Sequence, residues 1–163
     1  MNFAAVYRKV KLDFEETCYD IAESLCSPQL RKLSESQEKV VNMLSEMILG
    51  QVVFEKSRFI LRQGTTEQYD DYEMGLVSEG YRKIATLIYL IKNGTLNERS
   101  VLFWDEPENG MNPQLVKALA LSIRTIADMG VQIFIATHDY FLLQYLNMYN
   151  RFDDEKKACF KSA

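Results

Sequence analysis

The chain is short of cysteine, histidine and long apolar runs, and each shortage narrows what it can be. Its cysteines, Cys18, Cys26 and Cys159, are odd in number and never spaced Cys-x-x-Cys. They read as reduced thiols, which sets aside a disulfide scaffold and argues against a zinc site. Met1 to Lys11 hold no sustained apolar core of the kind a secretion signal carries, and no later run reaches membrane-spanning length. The sequence therefore predicts a soluble, cytoplasmic protein with no membrane partner. Basic residues number 19 against 23 acidic ones, a net charge of -4, and they are scattered in ones and twos. Nothing in that distribution is an electrostatic footprint for DNA or RNA. The seven glycines contain no Gly-x-x-x-x-Gly-Lys-[Ser/Thr] phosphate loop. Gly75 and Gly80 have the spacing, but Tyr81 stands where the lysine belongs and Arg82 where the Mg2+-binding hydroxyl belongs.

What is present is enough for a folded core: 163 residues, 47% of them hydrophobic, suffice for one domain's worth of buried surface. The chain is organised around Val101-Leu102-Phe103-Trp104-Asp105-Glu106. Four apolar residues in a row suit a strand covered on both faces, as in a parallel sheet with helices on either side. In open α/β sheets ligands sit beyond the carboxyl ends of the strands, so the Asp-Glu pair is placed for chemistry. Alternation along a strand points the two carboxylates to opposite sides, so that Asp105 can hold a Mg2+ and its waters while Glu106 reaches an attacking water as base. The plainer reading, solvated acids entering a turn, is weakened by the residues downstream. Asn112 and Pro113 are a helix cap and first-turn proline, and Leu115, Val116, Leu119, Ala120, Ile123, Ile126 and Ala127 recur at helical spacing up to Gly130. A second apolar strand, Val131 to Ala136, runs into Thr137-His138-Asp139. Strand, helix, strand predicts a right-handed βαβ unit, which delivers His138, the only histidine, to the edge that bears Asp105 and Glu106.

Upstream the signals are mixed. A helix is expected near 13–25. Ser34-Glu35-Ser36-Gln37 has capping-box spacing ahead of Val40, Val41, Leu44, Met47 and Ile48, with Gly50 as the stop. Residues 52–62 read as a strand or strand pieces, Gly64 to Glu67 as a break, and Tyr69 to Met74 as the returning strand of a hairpin. Ser78-Glu79-Gly80 opens a helix through Ile84, Leu87, Ile88 and Ile91, ended by Gly94. Taken alone, Ser78 and Gly80 are a cap with a neighbouring glycine; they are also a place where phosphate could approach backbone N–H groups.

Together these stretches resemble the C-terminal half of an ABC-type ATPase domain, in the AAA-like branch of predicted bacterial ATPases related to the heads of chromosome-maintenance and double-strand-break-repair proteins. Leu76 to Lys83 resembles the signature motif, Val101 to Glu106 the Walker B strand, Pro107 to Pro113 the D-loop, and Ala136-Thr137-His138-Asp139 the switch-histidine loop. The resemblance covers about residues 40 to 149. It implies an α/β fold, the C-terminal lobe of a P-loop NTPase: a parallel-sheet core with flanking helices plus a helical signature region. Residues 1–94 would be the helical signature part with a short β-hairpin, 95–149 the βαβ core and 150–163 a polar tail.

The resemblance further implies ATP and Mg2+ as ligands. Asp105 would bind Mg2+ through water, Glu106 would polarise the attacking water and His138 would contact the γ-phosphate. Ser78 and the backbone of Gly80 would touch ATP held by a second ATPase protomer in a head-to-tail dimer, with Asn109 and Gly110 along the seam. Glu79 and Tyr81 depart from the transporter-type signature and argue against a transporter. The missing Walker A lysine implies a fragment whose N-terminal lobe lies elsewhere and which is inactive alone. Nucleic acid would be reached only through absent domains. Two other readings compete: a non-catalytic interaction module that docks on a complete ATPase, and a metal-dependent phosphoesterase using Asp105, Glu106, His138 and Asp139.

Overall fold

A computed structural model describes residues 24, 27–55, 58–65 and 67–151. The helix expected near 13–25, the three cysteines and the tail beyond residue 151 lie outside these residues, apart from Ser24.

Helix α1 spans Glu35–Met47, opened by the expected capping box: Gln37 N–H donates to Ser34 Oγ at 3.3 Å, and Ser34 N–H to Gln37 Oε1 at 2.9 Å. It buries Val40, Val41, Leu44 and Met47. The stop differs from expectation. Leu49, 71% exposed, takes the left-handed conformation at φ 52°, while Gly50 serves close approach: a Cβ there would lie 2.5 Å from the Arg62 carbonyl oxygen.

The stretch expected as a strand or strand pieces and a hairpin arm is a three-stranded antiparallel sheet in the order β1 (Gln51–Glu55), β2 (Arg58–Gly64), β3 (Tyr69–Glu73), so the first run is two strands. The run 52–62 breaks after Glu55, which pairs with Arg58. Strand β3 is exposed along its whole length, so apolar packing does not hold it. Arg62 does: its guanidinium donates twice to the Asp71 carboxylate at 2.8 Å, pairs with Glu55 at 3.3 Å, and lies 4.4 Å from the centre of the Tyr69 ring. The Arg62 hydrogen bond holds the Asp71 carboxyl below its ordinary pKa.

A 3-10 turn, Met74–Leu76, leads to α2 (Glu79–Lys92), then β4 (Val101–Asp105), α3 (Pro113–Asp128), β5 (Gln132–Ala136) and α4 (Tyr140–Arg151). Asn112 Oδ1 caps α3 by accepting from Leu115 N–H at 2.9 Å, with Pro113 next to it. Gly94 and Gly130 end their helices at φ 78° and 97°, where a side chain would be strained. Strands β4 and β5 pair in parallel from Val101 opposite Gln132 to Asp105 opposite Ala136. The α/β class therefore stands as expected, with strand, helix and strand in the predicted order.

Helix α1 packs on α2 and α3, and α3 packs on α4. Leu44, Ile48, Ile84, Ile88, Leu119, Ile126 and Leu142 meet in one buried cluster, and Leu102, Trp104, Ile133 and Ile135 pack against it from β4 and β5. The other face of that strand pair is open among the described residues, contrary to the expectation of cover on both sides. Val101 and Phe134 are exposed there and Phe103 is 76% exposed. The Phe103 and Phe134 rings stack on each other 5.0 Å apart. An unbroken apolar run cannot show which of its residues meet helices; alternation of burial, not of residue type, marks the covered side.

Candidate functional site

The site begins where β4 stops. Asp105 is the last ladder residue, exposed and level with Ala136. Glu106 N–H still donates to the Ala136 carbonyl at 2.8 Å, but its φ is +41°, a left-handed conformation that costs a non-glycine residue about 1–2 kcal/mol. The chain thus turns at Glu106, and the pleat that would set the two carboxylates on opposite sides ends one residue early. The expected division of labour therefore loses its basis in strand alternation: any separate roles for Asp105 and Glu106 follow from the turn.

The parallel register carries β5 to the same edge, and loop 137–139 comes next. Glu106 Oε1 lies 3.0 Å from His138 Nδ1. The imidazole is 83% exposed, so this contact sits at the mouth of the site. Glu106, Glu108, Asn109, Gly110, His138 and Asp139 line a concavity of about 460 Å³. The lining is acidic and includes no lysine or arginine. Among the described residues no group of three or more His, Cys, Asp or Glu side chains is placed to ligate a metal ion directly, so a cation beside Asp105 and Glu106 would keep its own waters, and a bare triphosphate would meet like charge at close range.

Three features fix the turn from Glu106 to Met111. The Lys83 ammonium of α2 donates to the Glu106 carbonyl at 2.6 Å and reaches the Asn109 carbonyl at 3.5 Å. Gly80, buried in the first turn of α2, lets the turn come close: a Cβ there would lie 2.9 Å from Met111 Cγ and 3.0 Å from the Gly110 carbonyl oxygen. Glu108, only 8% exposed, accepts from the Thr137 hydroxyl at 2.6 Å. Its second carboxyl oxygen, Oε2, is buried with no protein partner among the described residues.

The residues singled out from sequence therefore fall into two places. Glu106 and His138 touch, and Asp105 stands at the adjoining strand end. Ser78 and Gly80 lie at the start of α2, outside the concavity's lining. They part company there: Ser78 is exposed, its Oγ accepting from Tyr81 N–H at 3.4 Å, while Gly80 faces inward. Packing on Gly110 and Met111 by itself requires glycine at residue 80. Asp139, a ligand in the phosphoesterase reading, caps α4 instead; its Oδ1 accepts from Leu142 N–H at 2.7 Å. Sequence reasoning missed Lys83 and Glu108. A lysine on a helix and an acid in a turn both look solvated, and only the fold brings them under the turn.

No curated protein matches the chain. Among solved structures, it is similar to an SMC ATPase described for ATP-driven dimerization and DNA-stimulated activation, at 14% identity and a TM-score of 0.45, over 68% of this chain and 73% of that one. It is also similar to an Smc head domain with an extended coiled coil from Pyrococcus furiosus, bound there to the C-terminal domain of ScpA, at 11% identity and a TM-score of 0.46. That alignment takes in 68% of this chain and 29% of the longer one. No helix among the described residues is long and apolar enough to cross a membrane. A family model matches residues 27–144, from ahead of α1 into α4, and on that match the chain belongs to the family described as "AAA domain, putative AbiEii toxin, Type IV TA system".

Proposed function

We propose that this chain supplies the Walker B, switch-histidine and signature half of an ATP-hydrolysing site. The observation that carries the proposal is the contact between Glu106 and His138 from the ends of neighbouring parallel strands. Phosphoryl transfer asks for positioning and charge stabilisation more than for covalent chemistry, and this edge offers a carboxylate base next to an imidazole. Glu106 takes the proton of the attacking water. His138 orients that carboxylate through Nδ1; to donate to a phosphate oxygen from Nε2 at the same time, the ring must carry both protons. Asp105 would hold Mg2+ through water, and the ion when bound would offset the triphosphate charge.

The acidic lining supports a division of the site. Positive charge and a phosphate-cradling loop come from outside these residues, either from an N-terminal lobe or from another chain. The exposed Ser78 and the first N–H groups of α2, which have no intrahelical acceptor, would meet ATP held by a second protomer. Titrating the isolated chain with Mg·ATP tests the division. Binding weaker than about 1 mM and no turnover are expected. Micromolar binding, or steady hydrolysis, would overturn it.

A second reading, a non-catalytic module that docks on a complete ATPase, is favoured by the placement of Ser78 on the surface away from the acidic concavity. Mixing with a complete ATPase of the family separates the two. Stimulation of that ATPase that disappears with Ser78→Arg and is indifferent to Glu106→Gln supports docking alone; dependence on both supports the catalytic half. Nucleic acid enters either reading only through domains outside these residues, and we place the protein in the cytoplasm.

A further inference from the structure

The loop that bears His138 is tied on both sides of that residue, and both ties lead to one buried acid. On one side the Thr137 hydroxyl donates to Glu108 Oε1 at 2.6 Å; on the other, Asp139 N–H donates to the same Thr137 oxygen at 3.0 Å. Asp139 then caps α4 through Leu142 N–H at 2.7 Å. A continuous run of hydrogen bonds thus joins the turn after β4, the loop after β5 and the start of α4. Glu108 is its anchor, and it sits two residues from Glu106 on the turn that Lys83 holds from beneath. An acid buried to this degree is uncommon unless it is paired; the Thr137 hydroxyl pairs with Oε1, while Oε2 has no partner among the described residues.

We infer that Glu108 is a positioning residue. Through Thr137 it fixes the loop 137–139 against the turn 106–111 and so sets the contact between Glu106 and His138. It touches neither nucleotide nor water in this role. The catalytic meaning of the contact rests on the function proposed above, but the mechanical coupling does not.

His138 is the only histidine in the chain, so its imidazole gives one unambiguous NMR signal in the full-length protein. In the wild-type background, Glu106→Gln should move the imidazole 15N and 1H resonances, because the carboxylate lies against Nδ1. In the Glu108→Ala background the same substitution should move them about fivefold less, the loop no longer holding the ring in place. Glu108→Gln should restore the full response, since its amide oxygen can still accept from Thr137.

Thr137→Val removes the donor without touching the turn and should behave as Glu108→Ala does; it carries the comparison by itself should Glu108→Ala fail to fold. An undiminished response to Glu106→Gln in Glu108→Ala, or in Thr137→Val, overturns the inference, as does a Glu108→Gln chain that responds no better than Glu108→Ala. No nucleotide is used. A chain that never binds ATP therefore sinks the proposed function and leaves the coupling standing, while lost coupling leaves the ATP reading untouched.

Discussion

Glu106→Gln, placed in this chain joined to the phosphate-loop lobe of a complete family member, is expected to lower single-turnover ATP hydrolysis by about 10²–10⁴-fold if Glu106 is the proposed base. The substitution keeps the size and shape of the side chain, and the bond from Lys83 goes to the Glu106 backbone carbonyl, so the turn stays held. What is lost is the group that can accept a proton from water. Binding of Mg·ATP by the joined protein should stay within a few-fold of wild type, because glutamine still lies beside His138 and Asp105 is unchanged. Hydrolysis that persists at the wild-type rate removes Glu106 from the chemistry.

The second large effect is on stability. Gly80→Val puts a branched side chain where a lone Cβ already lies 3.0 Å from the Gly110 carbonyl oxygen and 2.9 Å from Met111 Cγ. Met111 can swing aside; the backbone of the turn cannot without disturbing Glu106. Overpacking of this kind costs about 1–3 kcal/mol, roughly 3–10 °C in Tm for a chain of this size. Gly75→Val is the control, since a Cβ at that glycine meets nothing within 4 Å. Thermal unfolding followed by circular dichroism reads both. If glycine were present at residue 80 only to admit a phosphate, the substitution would leave Tm unchanged or raise it slightly, valine being the better helix former.

Residue patterns carry some of this structure and not the rest. The unit from β4 to β5 was legible because its signals agree: an apolar run, the Asn112-Pro113 start, helical spacing through Ile126, Gly130 at its end and a second apolar run. The capping box before α1 was equally plain, since Ser34 and Gln37 act on their own backbone. Strand β3 was legible as the returning arm of a hairpin, but its register was not, because it has no buried apolar face and Arg62 ties it to its neighbour. Leu49 takes the left-handed turn at the end of the helix where Gly50 was expected as the stop, and the glycine serves the close approach of β2. Helix α4 was not singled out, although Asp139 caps it and Leu142 and Leu146 face the core at helical spacing.

At the site, strand direction alone placed His138 near the acid pair, because parallel strands end on one edge. Which acid it touches depended on the left-handed Glu106, a conformation that residue type gives no reason to expect. The burial of Glu108 and the reach of Lys83 are products of tertiary contact, and each looks solvated when read along the chain. The Phe103–Phe134 face, open among the described residues, is the same kind of case: both residues belong in a strand whichever side the helices take.

In the proposed function this edge holds half of an ATP site and takes its phosphate loop from elsewhere. Isothermal titration of Mg·ATP into the chain alone, and into the chain joined to the phosphate-loop lobe of a complete family member, tests it most directly. An affinity gain of at least about 100-fold on joining is expected, lost when Asp105→Asn removes the carboxylate proposed to hold Mg2+. Equal affinity with and without the lobe, or a gain indifferent to Asp105, contradicts it.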